Sequence, residues 1–292
     1  MMAELLCLVA ALTLQDPPAT NPVQHRLMDR GVQAGGATVP LAKPTFPDGQ
    51  DAGSSRAALR AVVGDERGEE NFLRDSVTAP FVLKTRDIKA EGATIRVADL
   101  WFAVRGRLDD IDLKQILGGA AEKTAEAGNM RFATKIQDER QLAERNLSRP
   151  PSTSGREEWY TLTQARLLDR IKFEITDHTV ATRTTDSITV ASVTTPVPVG
   201  TGMPGNYWAT SSRSGGVDAV GPPQNYAGGG SYAKITRLAA DPGVLIIEGH
   251  FAFVEPDPWF DGNPILRSKI ALICQDQIRQ LRREIQKRRP PG

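Results

Sequence analysis

The stretch NPILRSKIALICQDQIRQLRREIQKRR, from Asn263 to Arg289, decides the fold class. Its apolar residues recur at steps of three and four, which predicts one apolar stripe along an α-helix of about seven turns. The stripe consists of Leu266, Ile270, Ile273, Cys274, Ile278, Leu281 and Ile285. Because a helix must bury such a face against another element, we expect this helix to lie across a β-sheet.

The chain before this helix has the patterns of an antiparallel sheet. Segment 170–177, RIKFEITD, places Ile171, Phe173 and Ile175 on one face and polar residues on the other, as in a half-buried strand. Segments 77–88 and 93–106 flank KAEG, which predicts a hairpin. The predicted fold is therefore α+β: a predominantly antiparallel β-sheet of meanders and hairpins, with a long C-terminal amphipathic helix packed on it.

The N-terminus predicts export. Residues 1–15 contain an apolar run that is too short to span a bilayer, which takes about 20 residues, but fits the central region of a secretory signal peptide. No Lys or Arg precedes the run and Glu4 lies before it, which is atypical of a signal peptide. A buried N-terminal helix in a cytoplasmic protein is the alternative. Without a second apolar stretch of this kind, the mature chain is expected to have no transmembrane segment.

Composition suggests how the rest of the chain is divided. Residues 16–55 are rich in Pro, Gly and Ala and are predicted to form a flexible linker. Residues 56–292 are then expected to form a single α+β domain. The Pro- and Ser-rich segment SRPPSTSG, at 148–155, marks the alternative, a subdivision of that domain.

The overall charge excludes some partners. The chain has 36 Lys and Arg residues against 35 Asp and Glu residues, so no global field attracts nucleic acid. One local cluster is basic: the end of the long helix holds Arg279, Arg282, Arg283, Lys287, Arg288 and Arg289. This charge either complements the helix dipole or contacts an anionic surface.

Two residues of the strand before the helix are the catalytic candidates. Glu248 and His250 are side by side on one face of the strand that ends near Val254, and a carboxylate beside an imidazole can orient a general base. The sequence has no G-x-S-x-G elbow, H-E-x-x-H pair, paired C-x-x-C or phosphate-binding loop. Catalysis by this pair would therefore lack a recognisable nucleophile or metal motif.

The connection FVEPDPWFDGNP, from Phe253 to Pro264, is the candidate metal site. Its oxygen ligands would suit a hard cation such as calcium and come from Glu255, Asp257, Asp261 and Asn263. The alternative is a turn in which Asp261 or Asn263 caps the following helix and Pro264 is the first helical residue. That alternative explains the order of residues without a ligand, so no cofactor is expected.

Four aromatic residues are the candidates for ligand binding. Tyr207, Trp208 and Tyr226 lie in the long glycine-rich segment 196–230, which predicts either a binding lid or an irregular insertion. Trp259 lies in the connection before the long helix, where it would stack on a sugar ring or anchor the turn to the core.

Two classes of function remain. The first is an exported noncatalytic protein, structural or ligand-binding, in the cell envelope or outside it. The second is an exported hydrolase of a polymer that uses Glu248, His250 and the acids of the connection. The missing nucleophile and metal motifs favour the first. A curved sheet around a long helix can also enclose a ligand cavity, as in helix-grip folds, although this analogy concerns architecture alone.

Overall fold

The computed structural model describes residues 20–112, 123–127, 129–151, 153, 155–197, 205–214, 217–263 and 265–287. The predicted signal peptide, residues 1–15, lies outside that part of the chain. Within the described part, no helix combines the length and the apolar character that crossing a bilayer requires.

The helices are α1 (Pro22–Asp29), α2 (Ala52–Val63), α3 (Glu66–Phe72), α4 (Glu139–Ala143) and α5 (Ile265–Lys287). The strands are β1 (Val32–Ala34), β2 (Ala37–Val39), β3 (Val82–Ala90), β4 (Ala93–Arg105), β5 (Lys123–Ala127), β6 (Met130–Ile136), β7 (Arg156–Leu167), β8 (Ile171–Arg183), β9 (Ser187–Thr194), β10 (Tyr207–Ser214), β11 (Val217–Val220), β12 (Gln224–Asn225), β13 (Gly229–Arg237) and β14 (Val244–Pro256).

The main sheet is antiparallel and runs in the order β3-β4-β14-β13-β9-β8-β7-β6-β5. Strand β10 also pairs with β8, and β11 and β12 pair with β10. The helix α5 packs on this sheet through the predicted stripe, whose Ile270, Cys274 and Ile278 join one apolar cluster with Phe102 and Ile247. The predicted α+β fold is confirmed.

Alternation along β14 separates the two faces of the sheet. Ile247 and Phe251 belong to the apolar cluster under α5, whereas Ile246 packs with the opposite layer. Glu248 and His250 also face that opposite layer, because side chains two residues apart on a strand share a face. The long helix and the Glu–His pair therefore lie on opposite sides of one sheet.

From residue 20 onward, the chain that precedes β3 covers the opposite face, which differs from the flexible linker expected at 16–55. Asn21 caps α1 by accepting a hydrogen bond from the Gln24 amide, and Leu27 is fully buried. Further along, Phe46 is buried against the sheet with residues of α2 and α3. The Pro, Gly and Ala content suggested flexibility, but widely spaced apolar residues provide enough area to hold this segment in place.

The segment 196–230 also differs from expectation. It contains β10, β11 and β12, and β10 adds to the sheet beside β8. Asn206 fixes the entry to β10, because its side chain accepts from the Thr176 amide at 2.8 Å and donates to the Thr195 carbonyl. The sequence did not predict these strands because glycine and proline, which are frequent in this segment, are uncommon inside β-strands.

The basic end of α5 is partly structural. Arg282 is buried, and its guanidinium donates to the backbone carbonyls of Ala103, Val77, Ala79 and Pro80. Burial lowers the pKa of Arg282 to about 10. Arg283 and Lys287 are exposed, so an anionic surface would meet these residues and not Arg282. Arg288 and Arg289 lie outside the described part of the chain. Contact with an anionic surface stays a prediction.

The subdivision of the domain near 148–155 also stays a prediction. Strands β6 and β7, which lie on either side of that segment in the chain, pair with each other.

Candidate ligand cavity

A cavity of about 340 Å³ lies between α5 and the sheet. Strands β6, β7, β8, β9, β13 and β14 supply its walls, and the first half of α5 covers it. Most of the lining is apolar: Met130, Phe132, Leu167, Phe173, Ile175, Phe251, Ala252, Phe253, Leu266, Ile270 and Ile273. The cavity therefore offers a ligand mainly hydrophobic contact.

A row of polar residues crosses the sheet within this lining. It runs through neighbouring strands from Thr163 on β7 to Asp177 on β8, Thr194 on β9 and Ser231 on β13. The register makes Asp177 and Thr194 direct partners across the β8–β9 ladder. The sheet thus places a carboxyl group and several hydroxyl groups in an otherwise apolar wall.

The Thr194 hydroxyl is held by two hydrogen bonds. It accepts from the Gly229 amide at 2.9 Å and donates to Asp177 Oδ1 at 2.8 Å. The backbone can come this close to Thr194 only because residue 228 is a glycine. Gly228 has a φ of +72°, and a Cβ atom at this position would lie 2.1 Å from Thr194 Oγ1. The hydroxyl proton of Thr194 is therefore committed to Asp177.

Asp177 carries the ionisable carboxyl group of the cavity. Burial raises its pKa to about 6, although the hydrogen bond from Thr194 acts in the opposite direction. No cationic side chain of the described residues forms an ion pair with it. Asp177 is half-buried in an otherwise apolar wall, where a carboxylate is costly unless it is paired, so a ligand can satisfy it.

Three aromatic rings stand together at this site. The ring centroids of Phe173 and Tyr226 are 5.4 Å apart, and those of Tyr226 and Trp259 are 5.3 Å apart. The Tyr226 hydroxyl donates to the Val254 carbonyl at 2.9 Å. Trp259 is 1% exposed, yet its indole N–H has no acceptor within the described residues. The Trp259 indole is therefore a buried donor that is unsatisfied by the part of the chain that the structure describes.

The helix α5 contributes one chemically distinctive group. Cys274 is a buried free thiol that lines the cavity, as its position on the apolar stripe predicts. Burial raises its pKa to about 11, so it stays protonated at neutral pH. We regard it as part of the wall and as a useful chemical probe, not as a nucleophile.

The two predicted catalytic residues lie elsewhere. Glu248 and His250 are both 0% exposed and do not line the cavity. Glu248 accepts hydrogen bonds from the backbone amides of Thr45 at 2.7 Å and Phe46 at 3.2 Å. His250 Nε2 is 3.4 Å from Glu248, and its Nδ1 is 2.7 Å from Asp99. This cluster attaches the N-terminal segment to the sheet.

Three of the four predicted metal ligands have side chains that the structure describes. Both oxygens of Glu255 accept from Arg96, at 2.7 and 2.9 Å, and Asp257 is exposed. Asn263 donates its side-chain amide to the Phe260 carbonyl, while the side chain of Asp261 lies outside the described part. Among the described residues, no three His, Cys, Asp or Glu side chains form a group that would hold a metal. Calcium binding stays a prediction.

The aromatic candidates divide into two pairs. Tyr226 and Trp259 line the cavity. Trp208 packs edge-on against Trp259 at 6.1 Å, and Tyr207 lies opposite Glu174 in the β8–β10 ladder without lining the cavity.

The sequence analysis missed Asp177, which continues the face of Ile171, Phe173 and Ile175. An acid at the next position of an otherwise apolar face was the signal that could have identified it.

Comparison with known proteins adds little. No protein-family model and no curated protein matches the chain. Among solved structures, it is similar to the human StarD13 (DLC2) lipid transfer and protein localization domain, with 11% sequence identity and a TM-score of 0.36 over 80% of this chain and 94% of that chain. A likeness with so low a TM-score carries no argument about function, so we argue from the cavity itself.

Proposed function

We propose that this chain is a noncatalytic protein that binds a small, largely apolar molecule in the cavity between α5 and the sheet. The observation that supports this most directly is the cavity of about 340 Å³ with an apolar wall and a few polar groups. Ligand sites in proteins commonly have volumes of about 300–1,000 Å³ and a similar lining. Transfer of the ligand from water to this wall supplies the driving force, at about 25 cal/mol per Å² of apolar surface.

Binding is favoured over hydrolysis because the only Glu–His pair that the sequence suggested is enclosed. Glu248 uses its oxygens to hold the Thr45 and Phe46 amides, and His250 is fully buried beside it. A polymer would have to displace the segment that covers both groups. The proposed hydrolase therefore has less support than the proposed binding protein.

The proposed location, secreted or periplasmic in the cell envelope, comes from residues 1–15 of the sequence. Expression of the full chain in a host that exports proteins tests it. We expect the exported product to lack its first residues, with a new N-terminus between Ala11 and Asp16, as measured by intact mass. Recovery of the uncleaved chain from the cytoplasm would contradict export but would leave the binding proposal standing.

A dye titration tests binding. N-phenyl-1-naphthylamine is an uncharged apolar dye at neutral pH, and its fluorescence rises when it leaves water. We expect saturable binding by the full chain with a single site. Substitution Ile273→Trp should fill part of the cavity and weaken binding by about tenfold or more, which corresponds to about 1.4 kcal/mol.

The matched control is Leu272→Trp. Leu272 precedes Ile273 on α5 but is 40% exposed, so the same new side chain is expected to leave dye binding unchanged. Thermal unfolding of both variants checks that each is folded. The absence of saturable binding by the wild-type chain, or equal affinities of the two variants, would contradict the proposal.

A further inference from the structure

We propose that the ligand carries a protonated amine next to its apolar part, and that Asp177 binds this amine through an N–H···O hydrogen bond. This inference rests on the proposed function, because it specifies the chemical class of the ligand for the same cavity. Three features of the site carry it: the position of the carboxyl group, the aromatic wall and the absence of a competing cation among the described residues.

The first feature is the geometry of Asp177. Thr194 donates to Oδ1 and holds the carboxyl group on the cavity wall. A carboxylate has about four acceptor positions, so one hydrogen bond leaves room for a further donor. An ammonium group offers an N–H donor together with the opposite charge, and such charge-assisted hydrogen bonds are about twice as strong as neutral ones. A ligand with a carboxylate would instead meet repulsion.

The second feature is the aromatic wall around that position. Phe173, Tyr226 and Trp259 line the same cavity as Asp177. Aromatic faces attract cations within about 6 Å, and the attraction is stronger where water is excluded. The charge of Asp177 also contributes to the raised pKa of Tyr226, which shows that the two groups are within electrostatic range of each other. The wall thus favours a cation over a neutral alcohol.

The third feature is the composition of the surrounding elements. From the sheet and from α5, the only other titratable groups that line the cavity within the described residues are Tyr226 and Cys274. Burial raises the pKa of both, so both stay neutral between pH 5 and 8. Neither a lysine nor an arginine is among the described residues that line the cavity. Over this pH range, Asp177 alone changes its charge there, and it becomes anionic as the pH rises through about 6.

The experiment compares ligands that share one apolar chain. Octylamine, octanol and octanoate are titrated against bound N-phenyl-1-naphthylamine on the full chain at pH 7.5 and pH 5. We expect octylamine to displace the dye at a concentration about tenfold or more below that of octanol at pH 7.5, with octanoate the weakest. The preference for the amine should shrink at pH 5, where Asp177 is protonated while the amine keeps its charge, since alkylamines have pKa values near 10.

Two variants make the result specific. Asp177→Asn keeps the shape of the side chain and an oxygen that can accept from Thr194, but it removes the charge. It should abolish the preference for octylamine and leave octanol unchanged. Asp257→Asn removes the same charge from an exposed position beyond β14 and should keep the preference.

The outcomes separate the two proposals. Equal affinities for octylamine and octanol in the wild-type chain, or a preference that survives in Asp177→Asn, would overturn the amine and leave an apolar binding site. If the wild-type chain bound neither the dye nor any of the three molecules, the proposed function itself would be contradicted.

Discussion

Two carboxyl groups on opposite faces of the same sheet, the buried Glu248 and the half-buried Asp177, have different surroundings. Glu248 is enclosed by the N-terminal segment and accepts hydrogen bonds from two backbone amides. Asp177 faces the cavity under α5 and accepts from Thr194 alone among the described residues. A buried charge with a full set of partners holds a structure together, whereas one with few partners leaves a position for a ligand.

The two centres also titrate differently. Burial acts to lower the pKa of His250, but hydrogen bonds to Asp99 and Glu248 outweigh it and raise the pKa above its ordinary value. Folding therefore favours the protonated imidazole of His250. The stability that this proton contributes is fully present below about pH 6.5 and is lost as the pH rises through the folded pKa. Asp177 titrates at lower pH, because burial raises its pKa from the ordinary 3.8 only to about 6.

The largest effect is expected for Glu248→Gln. The new side-chain amide would replace an acceptor of the Thr45 and Phe46 amides with a donor and would remove the charge beside His250. We expect the free energy of unfolding to fall by about 3 kcal/mol or more, as when one partner of a buried charged cluster is removed. Urea unfolding followed by circular dichroism measures it, with Asp257→Asn as the exposed control. A change below about 1 kcal/mol would mean that the enclosed cluster is not an attachment point.

Arg282→Met tests how α5 closes the cavity face. The substitution introduces an apolar side chain that fills much of the space of the arginine stem. It removes the guanidinium that donates to four backbone carbonyls, including that of Ala103. We expect a loss of about 2–3 kcal/mol, because buried acceptors are left unsatisfied. Arg283→Met, at the exposed neighbouring position, should change stability by no more than about 0.5 kcal/mol. Equal effects of the two variants would show that Arg282 does not anchor the helix.

Asp177→Asn tests the cavity side by its pH dependence. A carboxyl group whose pKa is raised on folding binds more protons in the folded state, so it destabilises the protein increasingly as the pH rises from about 4 to 6. The asparagine variant lacks this dependence, so its stability relative to the wild-type chain should rise over that window, by about 2–3 kcal/mol in total. Urea unfolding at a series of pH values measures the difference. A difference that is constant with pH would contradict a raised pKa at Asp177.

The smallest effect is expected for Tyr226→Phe. The ring stays in the aromatic wall, but the hydrogen bond from its hydroxyl to the Val254 carbonyl is lost. We expect stability to fall by about 1 kcal/mol and binding of octylamine to be retained, because the aromatic face remains. Unfolding and dye displacement measure the two quantities on the same preparation. A variant that lost amine binding at full stability would show that the hydroxyl itself contacts the ligand.

The sequence predicted the architecture well because periodicity reports burial. The stripe of α5 and the alternation of β8 are local patterns, and each identifies one face of one element. The enclosing role of the N-terminal segment could not be predicted in this way. It depends on contacts between Phe46 and residues about 200 positions away, such as Glu248 and Lys234, which no local pattern encodes.

The candidate site was less predictable for a related reason. Glu248 and His250 were predicted as catalytic because neighbouring acid and imidazole groups are typical of general-base catalysis, but the N-terminal segment buries both. Asp177 was overlooked because it is the last residue of the predicted strand segment 170–177, and a single acid at such a position is common on protein surfaces; the observed strand continues to Arg183. Only the tertiary structure shows that its face of β8 continues into a cavity under α5.

The most direct test of ligand binding in this cavity uses Cys274. In a Cys7→Ser background it is the sole thiol of the chain, and it lines the cavity wall. The rate of its alkylation by iodoacetamide is measured at pH 9 with and without saturating octylamine. A chain with both cysteines replaced by serine and with Leu272→Cys provides the exposed control on the same helix. We expect octylamine to slow the alkylation of Cys274 severalfold and to leave the control unchanged. Equal rates for Cys274 with and without octylamine would contradict a ligand site beneath α5.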